Sequence, residues 1–169
     1  MKGLLKDILI AIVIAFVVIQ FVRPTVVKES SMEPTLYNNN YIFISRMAYK
    51  IGEPQYGDII VFRSNLEFED GRSKNLIKRV IGLPGDVIMV TGNKVFRNGT
   101  ILDEPYIKDQ DKCPGEVELT VPDGCVFAMG DNREVSIDSR SPDVGCVPEY
   151  AIAGKAFFRL FPFGEATKL

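Results

Sequence analysis

Leu76-Ile77-Lys78-Arg79-Val80-Ile81 is a run of strand-forming residues that ends in the turn Leu83-Pro84-Gly85-Asp86. As a strand it places Leu76, Lys78 and Val80 on one face and Ile77, Arg79 and Ile81 on the other. Both faces carry apolar residues, and Lys78 sits between two apolar neighbours. Working outward, the same signature recurs at Tyr41-Ile42-Phe43-Ile44-Ser45 and at Asp58-Ile59-Ile60-Val61-Phe62, which follows Pro54 and Gly57. It recurs again at residues 86–90 and 94–97, joined by Thr91-Gly92-Asn93 in a tight hairpin, and Asn98-Gly99 signals a second hairpin. Val126-Phe127-Ala128-Met129 is a further short strand, and residues 151–161 close the fold with Phe157, Phe158 and Phe161. Apart from a short turn near residues 45–50, no stretch beyond the N-terminal segment has a helical period. The expected fold is mainly β, sheet-on-sheet or barrel-like. Residues 103–123, with Pro105, Pro114 and Pro122, read as a variable loop or small insertion.

The N-terminal segment differs. Ile8 to Val22 is apolar except for Gln20, and Leu4 and Leu5 extend it past Lys6 and Asp7. Fifteen such residues rise about 22 Å as a helix, and with a snorkelling Lys6 they cross a hydrocarbon core of roughly 30 Å. Pro24 stops the helix. No A-x-A-like cleavage site follows, so the reading is a retained anchor over residues 1–23 and a β-rich domain over residues 24–169. Positive charges on the two flanks tip the orientation only slightly toward N-terminus inside.

Of 169 residues, none is histidine. That excludes a Ser-His-Asp triad, a Cys-His pair and the usual zinc sites. The net charge of −2 gives no basic excess for nucleic acid. The three cysteines, Cys113, Cys125 and Cys146, lack C-x-x-C spacing, so no metal is expected and no cofactor is implied. A Cys125–Cys146 bridge and three free thiols are both compatible with the sequence.

A hydrolase without histidine needs Lys, Asp, Glu or Tyr as its base. Glu29-Ser30-Ser31-Met32-Glu33-Pro34-Thr35-Leu36 follows the apolar run and holds serines just outside it. Lys78, between Leu76 and Val80, is the candidate base, because a desolvated lysine has a lowered pKa and as a neutral amine can take a serine proton. The alternative is a snorkelling lysine on an edge strand. Gly130-Asp131-Asn132-Arg133-Glu134-Val135-Ser136-Ile137-Asp138-Ser139-Arg140 is too polar for a core strand. Asp131, Arg133, Asp138 and Arg140 are candidates for a carboxylate–guanidinium network, and Ser136 for a hydroxyl that orients an amine. The alternative is a solvated turn with incidental charge pairs.

These stretches, in this order behind an anchor, resemble the bacterial type I signal peptidases. S-M-E-P-T at residues 31–35 resembles the family's nucleophile box, K-R-V-I-G-L-P-G-D at residues 78–86 its lysine box, and G-D-N-R-E-V-S-I-D-S-R at residues 130–140 its third signature. Tyr56-Gly57-Asp58-Ile59-Ile60-Val61-Phe62 and the late G-K-A at residues 154–156 fit as well. The resemblance implies a convoluted β catalytic domain on the outer face of the cytoplasmic membrane, with a single-pass anchor whose N-terminus is inside. It implies a serine endopeptidase that cleaves signal peptides from preproteins through an acyl-enzyme, with Ser31 as nucleophile and Lys78 as general base. Ser136 would orient Lys78, and Asp131, Arg133, Asp138 and Arg140 would brace the site. Met32 and Pro34 would line substrate pockets, the Ser31 backbone N–H would be one oxyanion donor, and Ser30 is a candidate for another. Its partners would be signal peptides and the bilayer, with no metal and no nucleic acid. The family usually has Gly or Ser two residues before the nucleophile; this chain has Glu29. A specialised pilus or conjugation Ser/Lys peptidase on the same fold, and a non-catalytic anchored β-domain, are the alternatives; the last requires Ser31 and Lys78 to lie apart.

Overall fold

Helix α1 (Lys2–Phe21) runs directly into strand β1 (Val22–Val26), with no loop between them. The protein is seen in a computed structural model that describes residues 2–109 and 112–169, with the backbone alone for residue 2 and residues 13–20. The strand after the helix was not foreseen, because Pro24 reads as a breaker. Its place explains the tolerance: among the described residues β1 is an edge strand that pairs only with β2 (Tyr41–Ser45), and an edge position can do without one N–H. The Phe21 carbonyl accepts from the Arg46 N–H at 3.0 Å, which ties the helix end to the sheet. Among the described residues no helix is long and apolar enough to cross a membrane. The expected anchor depends largely on residues 13–20, whose side chains lie outside the description.

The remaining elements are the one-turn helix α2 (Ala48–Ile51) and strands β3 (Ile59–Glu67), β4 (Ser73–Gly82), β5 (Val87–Thr91), β6 (Lys94–Arg97), β7 (Thr100–Ile101), β8 (Val117–Thr120), β9 (Cys125–Met129), β10 (Val147–Pro148), β11 (Ile152–Phe161) and β12 (Thr167–Lys168). Among the described residues they form a larger sheet in the order β1-β2-β11-β3-β4-β9-β10, with β12 beside β11, and a smaller sheet in the order β7-β6-β5-β8. The mainly β expectation holds. Both hairpin signals are realised. Gly92 and Asn93 have φ of 55° and 62°, Asn98 and Gly99 have 53° and 77°, and paired positive φ values make the two-residue turn whose twist suits a hairpin.

Strand alternation divides the core. On β3, Ile59 and Val61 face a cluster with Val27, Met32, Leu36, Ile42, Ile44 and Ala156, while Ile60 and Phe62 face a cluster with Leu76, Val80, Val126, Ala128 and Val147. On β9, Phe127 and Met129 turn the other way, into the cluster shared with Ile81, Ile88, Val90, Val95 and Val121. β3, β4 and β9 are therefore covered on both faces, and β4 lies between the other two. A lysine in the middle of β4 has no easy route to water. Residues 103–123 contribute more than a loop: β8 pairs with β5, Cys113 is buried in the core, and Glu104 is buried with it. The proline spacing and polarity there hid a strand that alternates half-buried and exposed positions.

Candidate active site

β4 carries the lysine and delivers it inward. Lys78 lies on the same strand face as Leu76 and Val80 and is only 1% exposed. The loop at residues 29–36 brings Ser31 to it, and Lys78 Nζ lies 2.7 Å from Ser31 Oγ. The turn is held by Glu33 N–H donating to the Ser30 carbonyl at 3.1 Å and Leu36 N–H donating to the Met32 carbonyl at 2.8 Å. Met32 and Leu36 then anchor the loop in the core. Met32 is 1% exposed, so this side chain is a core anchor and lines no part of the cleft beside Ser31. Pro34 is exposed and likewise lies outside the cleft lining. Both had been expected at substrate pockets. In the S-M-E-P-T stretch the chain turns, and in a turn neighbouring side chains part company.

Burial lowers the Lys78 pKa below the ordinary lysine value; the Asp138, Glu29 and Asp131 carboxylates work against that shift, and Arg140 works with it. Among the described residues Lys78 forms no ion pair. A buried amine with no carboxylate in contact favours the neutral form, in which its lone pair accepts the hydroxyl proton of Ser31.

The loop at residues 130–140 sits against the serine loop. Asn132 N–H donates to the Ser31 carbonyl at 3.0 Å, and Asn132 Nδ2 donates to the Ser30 carbonyl at 3.1 Å. Gly130 is required for this approach: a Cβ there would collide with Ser136 Oγ and the Ser31 carbonyl oxygen. Asp138 Oδ2 accepts the Gly130 N–H at 3.0 Å, and its carboxylate is gripped by the Arg140 guanidinium at 2.8 and 2.9 Å. Burial opposes ionisation of Asp138, but Arg140 and the Gly130 N–H outweigh it and hold its pKa below the ordinary carboxylate value. Ser136 Oγ is shut off from solvent and, among the described residues, meets no partner within hydrogen-bonding geometry; it stands close enough to Asp138 to help lower that pKa. Its expected hydrogen bond to Lys78 is not formed.

Of the expected network inside this loop, only Asp138–Arg140 pairs internally. Asp131 instead accepts two bonds from Arg79, at 2.9 and 2.6 Å, and one from the Thr35 hydroxyl at 2.5 Å. Arg133 reaches Glu104 at 2.6 and 2.9 Å and donates to the Gly130 carbonyl at 2.9 Å. The Tyr106 hydroxyl donates to Glu104 at 2.8 Å, and the Arg79 guanidinium lies 4.1 Å from the Tyr106 ring centre. Thr35, Arg79, Glu104, Tyr106 and Asn132 were thus missed as supporting residues. Arg79 had a legible signal, since alternation sends it to the face opposite Lys78; Glu104 had none.

A cleft of about 470 Å³ opens beside Ser31, lined by Glu29, Ser30, Leu66, Leu76, Val135 and Ile137, with Lys28, Asn38 and Lys74 also on its walls. Val135 and Ile137 are exposed apolar side chains there, which suits a groove awaiting an extended apolar chain. Cys113, Cys125 and Cys146 are free thiols. Among the described residues no cluster of three or more acidic or cysteine side chains could hold a metal.

The sequence likeness is extensive. A family model described as signal peptidase, peptidase S26, matches residues 1–161. Signal peptidase I S of Bacillus subtilis is 38% identical over 174 residues, covering 96% of this chain and 90% of that protein. Signal peptidase I of Bacillus licheniformis is 36% identical over 175 residues with the same coverage, and signal peptidase IB of Staphylococcus aureus is 35% identical over 177 residues, covering 94% and 88%. The crystal structure of a signal peptidase I from Enterococcus faecalis superposes with a TM-score of 0.51 at 30% identity, covering 62% of this chain and 97% of that one. The chain is an enzyme of the peptidase class. It belongs to the signal peptidase, peptidase S26 family.

Proposed function

We propose that the protein is a membrane-anchored serine endopeptidase that removes N-terminal signal peptides from secreted preproteins, with Ser31 as nucleophile and Lys78 as general base. The observation that carries this reading is the 2.7 Å contact between a buried, ion-pair-free Lys78 amine and the Ser31 hydroxyl. The non-catalytic alternative required those groups to lie apart.

Neutral Lys78 takes the Ser31 hydroxyl proton as Oγ attacks the scissile carbonyl. The resulting ammonium gives that proton to the departing amine, the peptide C–N bond breaks, and an ester to Ser31 remains. Lys78 then deprotonates a water that attacks the ester, and the proton returns to Ser31 as the signal peptide leaves. The Ser31 N–H is the oxyanion donor, and the Ser30 hydroxyl, on the wall of the same cleft, is the candidate second donor. Asp131, through Thr35, and Asn132, through the Ser30 and Ser31 carbonyls, hold the two loops together, while Arg133 and the Asp138–Arg140 pair brace the loop at residues 130–140.

The anchor is residues 1–23, with the N-terminus inside and the β domain on the outer face of the cytoplasmic membrane. The apolar run from Ile8 to Val22 supports this, as does the length of α1: its 20 residues rise about 30 Å, the thickness of a hydrocarbon core. The deciding experiment is cleavage of a model preprotein by the full chain in vesicles, against Ser31→Ala and Lys78→Arg. Both variants are expected to be inactive, the second because arginine cannot lose its proton near neutral pH. Turnover by Lys78→Arg would overturn the general-base role.

A further inference from the structure

Glu29 lies two residues before Ser31 and has no catalytic part in the reading above. It is exposed, lines the cleft with Ser30 and Ser31, and is, among the described residues, the one carboxylate on the cleft wall. We propose that Glu29 is a positioning residue that sets the pH range in which the Ser31/Lys78 pair works, through an electrostatic hold on the Lys78 ammonium. The inference rests on the Ser/Lys reading.

The charged surroundings of Lys78 single out Glu29. From the loop at residues 130–140, Asp138 is bonded to Arg140, Asp131 is bonded to Arg79, and Arg133 is paired with Glu104. From the start of β3, Asp58 is paired with Lys155 and accepts from the Tyr49 hydroxyl. Each of these carboxylates has a cation in contact, and Arg140 opposes the pull of Asp138 on Lys78. Glu29, from the nucleophile loop, forms no ion pair among the described residues. The cations sharing its cleft, Lys28 and Lys74, lie on the walls. Glu29 is among the groups that raise the Lys78 pKa, after Asp138 and ahead of Asp131. It therefore opposes the desolvation that frees the base. The sign follows: a stabilised ammonium demands a higher pH before the neutral amine forms, so removing the Glu29 charge extends activity to lower pH.

The test is the pH dependence of kcat/KM between about pH 6 and pH 10 for the full chain in detergent, on a peptide with alanine at the first and third positions before the cleaved bond. Glu29→Gln, Glu29→Asp and Lys78→Met are compared with wild type. Glu29→Gln is nearly isosteric and exposed, so folding is not at stake. Its acid limb is expected to move to lower pH, giving on the order of a threefold gain on that limb relative to its own plateau. Glu29→Asp, which keeps the charge, should stay near the wild-type limb. Raising the salt concentration should move the wild-type limb toward that of Glu29→Gln and leave the variant in place, because an exposed charge is screened. A Glu29→Gln limb coincident with wild type, or displaced upward, while Lys78→Met is inactive overturns the role of Glu29 and leaves the dyad standing. Turnover by Lys78→Met overturns both.

Discussion

Lys78 and Arg79 are neighbours on β4, and their two cations meet opposite fates. Arg79, on one face, is held by Asp131 through two short bonds and stacks on Tyr106. Lys78, on the other face, is more deeply buried and has a hydroxyl for its contact instead of a carboxylate. The comparison teaches how a single strand separates structure from chemistry. The paired guanidinium staples the loop that carries Ser31, through Thr35 and Asp131, to the sheet. An amine denied a counter-ion is pushed toward neutrality, the form that the proposed base requires.

The sharpest way to break this contrast is to change each cation to methionine. Lys78→Met is expected to lower signal-peptide cleavage by at least about 10³-fold, as removal of a general base from a serine hydrolase does. Its stability to urea at neutral pH should equal or exceed that of wild type, since an apolar side chain replaces a desolvated amine. Retained activity would show that Lys78 is not the base. Gly130→Ala should come next: a Cβ pushed against Ser136 and the Ser31 carbonyl displaces Ser31 by a fraction of an ångström or more, with an expected loss of about 10²-fold in kcat. An unchanged kcat would mean that the two loops are not in the contact described.

On the paired side, the expected losses are in stability. Arg133→Met leaves the buried Glu104 carboxylate without its guanidinium and should cost about 3–5 kcal/mol in urea unfolding. A cost near zero would show that this pair braces nothing. The smallest effect lies in pH. The folded pKa of Lys78 is below its unfolded one, so the unfolded chain binds the additional proton. Wild-type stability should therefore rise with pH between those two values and carry the full penalty below the folded one. Lys78→Met should lack this slope in urea titrations repeated across the alkaline range; identical slopes would mean that Lys78 is not desolvated.

Much of this arrangement was legible beforehand. The alternation around Lys78 placed it correctly between Leu76 and Val80, because a strand's two-residue period is a local property. The two hairpins were legible for the same reason: Gly92-Asn93 and Asn98-Gly99 satisfy a backbone requirement without help from distant residues. β1 was not, since its pairing with β2 overrides the local cost of Pro24. Met32 shows the limit within the nucleophile stretch itself. Being next to Ser31 in sequence says nothing about which way a turn sends the side chain, and this one goes to the core.

What the sequence determined by itself was chemistry of composition and local pattern: a chain without histidine that must use another base, short strands with their turns, and a serine and a lysine in recognisable stretches. What only the tertiary structure decided was partnership. Ser31 and Lys78 are 47 residues apart and Asp131 and Arg79 are 52 apart, and Arg133 finds Glu104 in a stretch that read as a loop. Such pairings depend on which strands lie side by side and how deeply each is covered. Burial then decides how readily a cation gives up its proton, because desolvation is a property of the packed sheet and of no single residue.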